Sequence, residues 1–170
     1  IIDHGVNYTL PDLNDNYLGG YDFVDNDTDP MPNATDWHGT ACASIAVGEG
    51  DQTYVGVAPR AKYYALRIGA GWTFKLSYVD EAIHWALDHG ADVVSISLGI
   101  IPNSGDPTHW SPEDREIFYD LLDACLAALE CGVIVVAASC NSERNYPFYP
   151  AGFGYIISVG AYAQGGEIPS

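Results

Sequence analysis

The chain has 170 residues, of which 48% are hydrophobic and 17% charged, a composition that excludes a disordered tail and suits a domain with its own core. The formal net charge is −17, which disfavours nucleic acid as a partner and favours cations. No apolar run approaches the roughly 18–20 residues that span a bilayer, so we predict neither a membrane segment nor a signal peptide within these residues.

The first part of the chain predicts the end of a strand, a long loop and a small-residue helix. "IIDHGV" at residues 1–6 is typical of the tail of a buried strand. Residues 14–36 are rich in Asp, Asn, Gly and Pro, which predicts a surface loop with at most one short strand, near residues 21–24. In "DWHGTACASI", a helix can start at Gly39 and Thr40, and the small residues after them allow close packing.

The rest of the chain alternates between strands and helices. Continuous apolar runs predict strands at 62–68, 92–98, 132–139 and 155–161, covered on both faces.

Two helices are predicted between these strands, each with an end signal. In the first, Val79, Ile83, Ala86 and Leu87 fall on one face, and Gly90 ends the helix. In the second, Ser111 caps the helix, Pro112 takes the first position, and Gly132 ends it.

This order of elements predicts an α/β fold. Strand–helix–strand repeats imply right-handed crossovers and a mainly parallel central sheet between helical layers, a three-layer αβα architecture. The chain has no linker or internal repeat, so we expect residues 1–170 to form one domain. Both ends have the character of cuts in a longer protein, with the start of the first strand and a C-terminal part missing.

Several polar residues are predicted at the carboxyl ends of strands, where sites form in such folds. They include Asp3, Ser97 to Gly99 and Asn141. Asp3 could orient a histidine, His38 could accept a proton, and Asn141 could stabilise an oxyanion. Taken one at a time, a turn aspartate, a capping or core histidine and a turn or capping asparagine explain these residues better.

Taken together, the residues form an ordered set that resembles the subtilisin-like serine proteases, or subtilases. The matching stretches, in family order, are "IIDHGVNYTLPDL", "HGTACASIA", "VGVAPRAKYYALRI", "ADVVSISLG", "VIVVAASCN" and "YPAGFGYIISVGA". The resemblance implies that Asp3 is the acid and His38 the base of an Asp-His-Ser triad, and that Asn141 is the oxyanion-hole residue. It also implies substrate binding along one segment and a specificity-pocket wall on another: Ser97, Leu98 and Gly99, and Ala138 and Ser139.

The resemblance also implies a structural calcium ion. Asp12 in "LPDL" resembles a family ligand, and the matching loop is "EGDQTYVG" at residues 49–56. Oxygen-rich acidic loops suit calcium, although solvated surface acids are the alternative. The implied ligands are Asp12, Glu49, Asp51, Gln52, Tyr54 and Gly56.

The match departs from the family at the nucleophile. No Gly-Thr-Ser motif occurs in the 170 residues, so we expect the chain alone not to hydrolyse peptides by the triad route. Cys140 stands where the family usually has Gly. Kexin-like features occur in "YDFVDNDTDPMP", but Ile100, Ile101, Pro102 and Gly152 replace the expected pocket acids, which favours an apolar or broad preference.

The sequence therefore predicts a secreted serine endopeptidase that acts on polypeptides and has its own propeptide as a further partner. The alternative is a non-catalytic pseudoprotease or binding module. A nucleotide-binding domain is disfavoured because neither GxGxxG nor GxxxxGK[ST] occurs. The four cysteines form no CxxC pair, any disulfide pairing stays open, and Cys42 is predicted to be a buried free thiol.

Overall fold

A computed structural model describes residues 1–52, 54–71, 73–100, 109–141 and 146–162. They divide into two compact units, Ile1–Ala82 and Ile83–Ser170. Each unit contains three strands that pair in parallel, together with helices, so the predicted α/β class with a mainly parallel sheet is confirmed. Among the helices in these residues, none combines the length and the apolar character that crossing a bilayer requires.

The strands of the first unit lie in the order β2-β3-β1, with bounds β1 (Ile2–Asp3), β2 (Tyr17–Asp22) and β3 (Tyr63–Arg67). Both outer strands end opposite Arg67, because Asp3 and Asp22 are each its register partner. The carboxyl ends of all three strands therefore meet at one edge, where the sequence predicts a site.

The expected position of β2, near residues 21–24, was wrong. The strand covers residues 17–22 and includes Gly19 and Gly20, which gave this stretch the composition of a loop. A Cβ at Gly20 would collide with the carbonyl oxygen of Ala65 on β3, so the glycine permits the close approach of the two strands.

Helix α1 (His38–Val47) follows the long loop, as predicted. Its Ala43 and Val47 join a core cluster with Val6, Leu13, Tyr63 and Ala65. A short hairpin of β4 (Gly69–Ala70) and β5 (Thr73–Phe74) follows β3 and was not predicted, because two-residue strands leave no apolar pattern in the sequence.

Helix α2 (Ser77–Asp88) buries the predicted face, with Val79, Ile83 and Ala86 almost fully inaccessible. Gly90 has φ of 70°, and the following Ala91 N–H donates to the Ala86 carbonyl at 3.0 Å. This glycine thus ends the helix as its position predicted.

The strands of the second unit lie in the order β6-β7-β8, with bounds β6 (Val93–Ile96), β7 (Ile134–Ala138) and β8 (Ile157–Val159). Helix α3 (Pro112–Glu130) precedes β7 and begins with a complete capping box. The Asp114 N–H donates to Ser111 Oγ at 3.0 Å, and the Ser111 N–H donates to Asp114 Oδ2 at 3.2 Å. The predicted cap and the four predicted strand positions are confirmed, with each strand end one or two residues shorter than expected.

Candidate active site

A buried carboxylate lies at the end of β1. Asp3 is 1% exposed, and its Oδ1 accepts the backbone N–H of His4 at 2.7 Å. The next residue, Gly5, has φ of 98°, a left-handed conformation that turns the chain away from the sheet edge. The strand end and this turn together fix the carboxylate at the sheet edge.

Helix α1 starts directly against this carboxylate. A Cβ at Gly39 would collide with the carbonyl oxygen of Gly5 and would lie 2.9 Å from Cβ of Asp3. The hydroxyl of Thr40 accepts the backbone N–H of Asn7 at 2.9 Å and ties the helix to the segment after β1. The Gly-Thr pair after the histidine therefore has a physical role, since it lets the first turn of α1 touch the end of β1.

His38, the first residue of α1, contacts Asp3 through both carboxylate oxygens. Its Nδ1 lies 2.8 Å from Oδ1 and 3.0 Å from Oδ2 of Asp3. The histidine side chain is 46% exposed, whereas the carboxylate is inaccessible. With Nδ1 donating to the carboxylate, the ring is oriented and Nε2 is left as the proton acceptor, which is the arrangement of a general base and its orienting acid.

Two further side chains, those of His4 and Cys42, lie next to His38, and the sequence did not predict these contacts. His4 is 13% exposed, its Nδ1 lies 3.9 Å from Asp3 Oδ1, and its ring centroid is 6.0 Å from that of His38. Its buried Nε2 has no hydrogen-bond partner within the described residues. The Sγ of Cys42 lies 4.0 Å from His38 Nδ1, and the four-residue helical spacing could have predicted this contact. Cys42 is half-buried, so the prediction that it is a buried thiol was wrong, and none of the four cysteines forms a disulfide.

The other predicted site residues lie in the second unit. Ser97, Leu98 and Gly99 directly follow β6, and Ala138 is the last residue of β7. The Ser139 N–H donates to the Val159 carbonyl at 2.8 Å, which extends the pairing of β7 with β8. Asn141 is exposed and follows β7 by three residues. These positions match the predicted strand ends, and the substrate and oxyanion roles remain predictions.

Cys140 adopts a conformation that favours glycine. Its φ is 66°, in the left-handed region, and this is the position at which the resembled family usually has Gly. Its Sγ occupies space beside Gly99, where a Cβ would approach to 2.6 Å. Burial raises the pKa of the Cys140 thiol. The substitution therefore places a neutral, half-buried side chain between the two predicted substrate-binding segments of this unit.

Asp12 contacts two residues of the predicted calcium-binding loop, Glu49 and Gln52, in the first unit. Asp12 is 6% exposed; its Oδ1 accepts the Gln52 N–H at 2.7 Å, and its carbonyl accepts the Glu49 N–H at 2.9 Å. Glu49 Oε1 accepts the Asn16 N–H at 3.1 Å, which engages that carboxylate with the protein. The carboxylate oxygens of Asp12 and Glu49 are of the hard type that calcium prefers, and carbonyl and amide oxygens of the loop would be needed to complete a coordination shell.

The other predicted calcium ligands are more exposed than Asp12. Asp51, Gln52 and Tyr54 have exposed side chains, and Gly56 N–H donates to the Gly48 carbonyl at 2.8 Å. Ile101 and Pro102, used above to disfavour basic specificity, lie outside the described residues. Within the described residues, the group of three or more His, Cys, Asp or Glu side chains whose ligand atoms converge is Asp3, His4 and His38.

Comparison with known proteins identifies the class. The model of the subtilase family matches residues 1–170, so the chain belongs to the subtilase family, and the resemblance seen in the sequence is confirmed. The chain is 36% identical over 167 residues to the thermophilic serine proteinase of Bacillus sp. (strain AK1), covering 96% of this chain and 38% of that protein. It is 37% identical over 172 residues to thermitase of Thermoactinomyces vulgaris, covering 96% of this chain and 54% of that protein.

A solved structure agrees with these relatives. The nisin leader peptidase NisP from Lactococcus lactis matches 98% of this chain and 56% of its own, with a TM-score of 0.74 and 26% sequence identity. The chain thus spans about half or less of the length of these relatives. Relatives whose names state a location include both extracellular and intracellular serine proteases.

Proposed function

We propose that this chain is part of the catalytic domain of a secreted serine endopeptidase that hydrolyses peptide bonds through an Asp-His-Ser triad. Asp3 is the acid and His38 the base of this triad. The observation that supports the proposal most directly is the hydrogen bond between His38 Nδ1 and a carboxylate that is otherwise buried. An accessible imidazole held in this way has the orientation that proton transfer to and from a serine needs.

In the proposed reaction, a serine hydroxyl of the intact protein attacks the peptide carbonyl carbon. His38 Nε2 takes the hydroxyl proton, the acyl-enzyme forms, and the same proton passes to the leaving amine. Water then repeats the sequence and releases the acid. Asn141 donates to the oxyanion, a contact worth roughly 2.7–4 kcal/mol in subtilisin. Because no Gly-Thr-Ser motif occurs here, we expect the 170 residues alone to be inactive.

The test is the Asp3→Asn variant of the full-length protein that contains this chain. Without a carboxylate at this position, His38 loses its orienting acceptor, and kcat should fall by about 10⁴-fold with little change in KM. Asp15→Asn is the matched control, because Asp15 is exposed and the substitution removes the same charge. Peptide hydrolysis by Asp3→Asn at the rate of the control would contradict the triad assignment.

A non-catalytic binding module is the second candidate function. The left-handed Cys140 favours the binding module, because its side chain occupies space beside Gly99 that a substrate-binding cleft would leave open. A fluorophosphonate reagent, which labels activated serines, separates the two functions in the full-length protein. Labelling that requires His38 supports the peptidase, and an absence of labelling with retained binding of unfolded polypeptide supports the module.

The substrate is a polypeptide bound in extended form along Ser97, Leu98 and Gly99, with Ala138 and Ser139 opposite. We expect an apolar or broad side-chain preference, and the protein's own propeptide as an additional ligand of the same cleft. Secretion agrees with the net charge of −17.

Calcium is proposed as a structural ion at Asp12 and the loop of residues 49–56. Calcium at a thousand times its dissociation constant would stabilise the folded state by about 4 kcal/mol, so removal with a chelator should lower the thermal midpoint. Asp12→Asn should abolish this calcium response, whereas Asp88→Asn, at an exposed position of α2, should retain it. An identical response in both variants would contradict the ligand assignment.

A further inference from the structure

The second histidine beside the proposed dyad has no assigned role. His4 follows Asp3 directly in the chain, and the centroid of its ring lies 6.0 Å from that of His38 and 6.4 Å from that of Phe74. Its position is confined, because a Cβ at Gly69 would lie 2.8 Å from His4 Cδ2. The imidazole is therefore held beside Asp3 by packing.

We propose that Asp3, His4 and His38 form a binding site for zinc(II) or a related divalent transition-metal ion, and that the bound ion blocks His38 as a proton acceptor. One ligand atom from each of the three residues lies within 4.8 Å of the other two. His38 Nδ1 is 2.8 Å from Asp3 Oδ1, and His4 Nδ1 is 3.9 Å from the same oxygen.

The distances are close to those of a tetrahedral site. Zinc bonds of about 2.0–2.1 Å place ligand atoms roughly 3.3 Å apart. The observed separations lie on both sides of this value, so side-chain shifts of the order of 1 Å would close the site around an ion. Two histidines and one carboxylate leave a fourth position for water.

The donor set selects the class of ion. Imidazole nitrogen is a preferred ligand of zinc, copper and nickel, whereas calcium and magnesium take oxygen ligands. The proposed site is therefore distinct in chemistry from the oxygen-rich loop at Asp12. The buried Nε2 of His4 has no hydrogen-bond partner in the described residues, so no protein hydrogen bond through this atom has to break when the ring turns toward an ion.

Metal binding removes the base by moving one proton within His38. Neutral imidazole carries a single N–H, which lies on Nδ1 while that atom donates to Asp3. Coordination through Nδ1 requires its lone pair, so the Nδ1–H bond breaks, the proton is returned to Nε2 through solvent, and the metal–nitrogen bond forms. Nε2 then has no lone pair to accept the serine proton. This inhibitory consequence rests on the proposed function, whereas the binding site itself does not.

Cobalt(II) serves as the spectroscopic probe of binding. The full-length protein is freed of transition metals, kept in calcium, and titrated with Co²⁺, whose visible absorption intensifies in four-coordinate sites; Zn²⁺ is then added to displace it. We expect His4→Gln to weaken binding at least about tenfold, by loss of a ligand. His84→Gln, which removes an exposed imidazole from α2, is the matched control and should bind as the parent does. Equal affinity of His4→Gln and the control would overturn the site.

Two further measurements cover the case in which His4→Gln unfolds and the case in which the ion binds at Cys42. If His4→Gln unfolds, ¹⁵N-histidine NMR of the unmodified protein replaces it: zinc should change the ring signals of His4 and His38, and unchanged signals overturn the proposal. A Co²⁺–thiolate absorption band that disappears in Cys42→Ser would also overturn it, because the ion would then lie on Cys42.

Peptidase activity tests the inhibitory consequence separately. Each variant is normalised to its own rate without transition metal, and Zn²⁺ should inhibit His4→Gln at least about tenfold less potently than the control. Binding without inhibition overturns the block of His38. If the protein hydrolyses no peptide at all, the proposed function fails, and the cobalt and NMR measurements still decide the site.

Discussion

Replacing Gly39 with alanine tests whether the contact between α1 and β1 produces the dyad. In the helix interior alanine is favoured over glycine by about 1 kcal/mol, so helix propensity alone predicts stabilisation. The structure predicts the opposite, since the new Cβ would collide with the Gly5 carbonyl and lie 3.0 Å from Asp3 Oδ1. Gly5 cannot retreat easily, because a Cβ built on it would already be 2.6 Å from the Pro30 carbonyl oxygen.

Overpacking of this kind costs about 1–3 kcal/mol, and the rigid neighbours place the cost in the upper half of that range. After subtracting the propensity gain, we expect a net loss of about 1–2 kcal/mol and a thermal midpoint lower by about 2–8 °C. A shift of α1 by 1 Å should also lower kcat/KM of the full-length protein by about 10²-fold.

The assay combines thermal unfolding with peptide hydrolysis. Gly154→Ala is the control, because a Cβ at Gly154 meets nothing within 4 Å. If Gly39→Ala is as stable and as active as the control, the close approach of α1 to β1 does not hold the dyad, and the reasoning is refuted.

Two further predictions concern cysteines. Cys140→Gly should raise the thermal midpoint by relieving about 1 kcal/mol of left-handed strain, whereas Cys140→Ala keeps the strain and should not; a lower midpoint for Gly than for Ala would argue against strain at φ 66°. Burial raises the pKa of Cys125 from 9.0 to about 12, so the folded state keeps a proton that the unfolded state loses. The stability contribution is full below about pH 9 and declines as the pH rises towards 12, by about 1 kcal/mol at pH 10. Urea unfolding at about pH 8 and pH 10 should show a smaller alkaline loss in Cys125→Ala, and an equal loss would contradict the assignment.

The long elements of the fold were predictable because their signals are local. The α3 start needs only Ser111, Pro112 and an acidic residue three positions after the cap, and the end of α2 needs only a glycine that accepts a positive φ. Strand β2 was misplaced because its glycines serve a contact with β3 that is 45 residues away in sequence, at Gly20 and Ala65. Tertiary contact outweighed composition there.

The candidate site likewise contains residues that could be predicted from the sequence and one that could not. Asp3 and His38 were predicted as a pair from the resemblance to the subtilases, because the residues taken singly favoured a turn aspartate and a capping or core histidine; the structure brings the two into hydrogen-bond contact. His4 gave no such signal. The direction of a side chain that directly follows a strand is determined by the turn after it, and this turn depends on the left-handed Gly5. Its place beside His38 is a consequence of three-dimensional packing, which only the folded structure shows.

His4 and Cys140 lie at the edges of the dyad and of the predicted cleft rather than within the dyad. His4 adds a nitrogen donor next to a carboxylate that orients His38, and Cys140 adds a side chain where the backbone favours glycine. Each leaves the Asp3–His38 hydrogen bond intact, so neither is expected to abolish proton transfer. His4 supplies a third ligand in the proposed transition-metal site, and the Sγ of Cys140 occupies space beside Gly99.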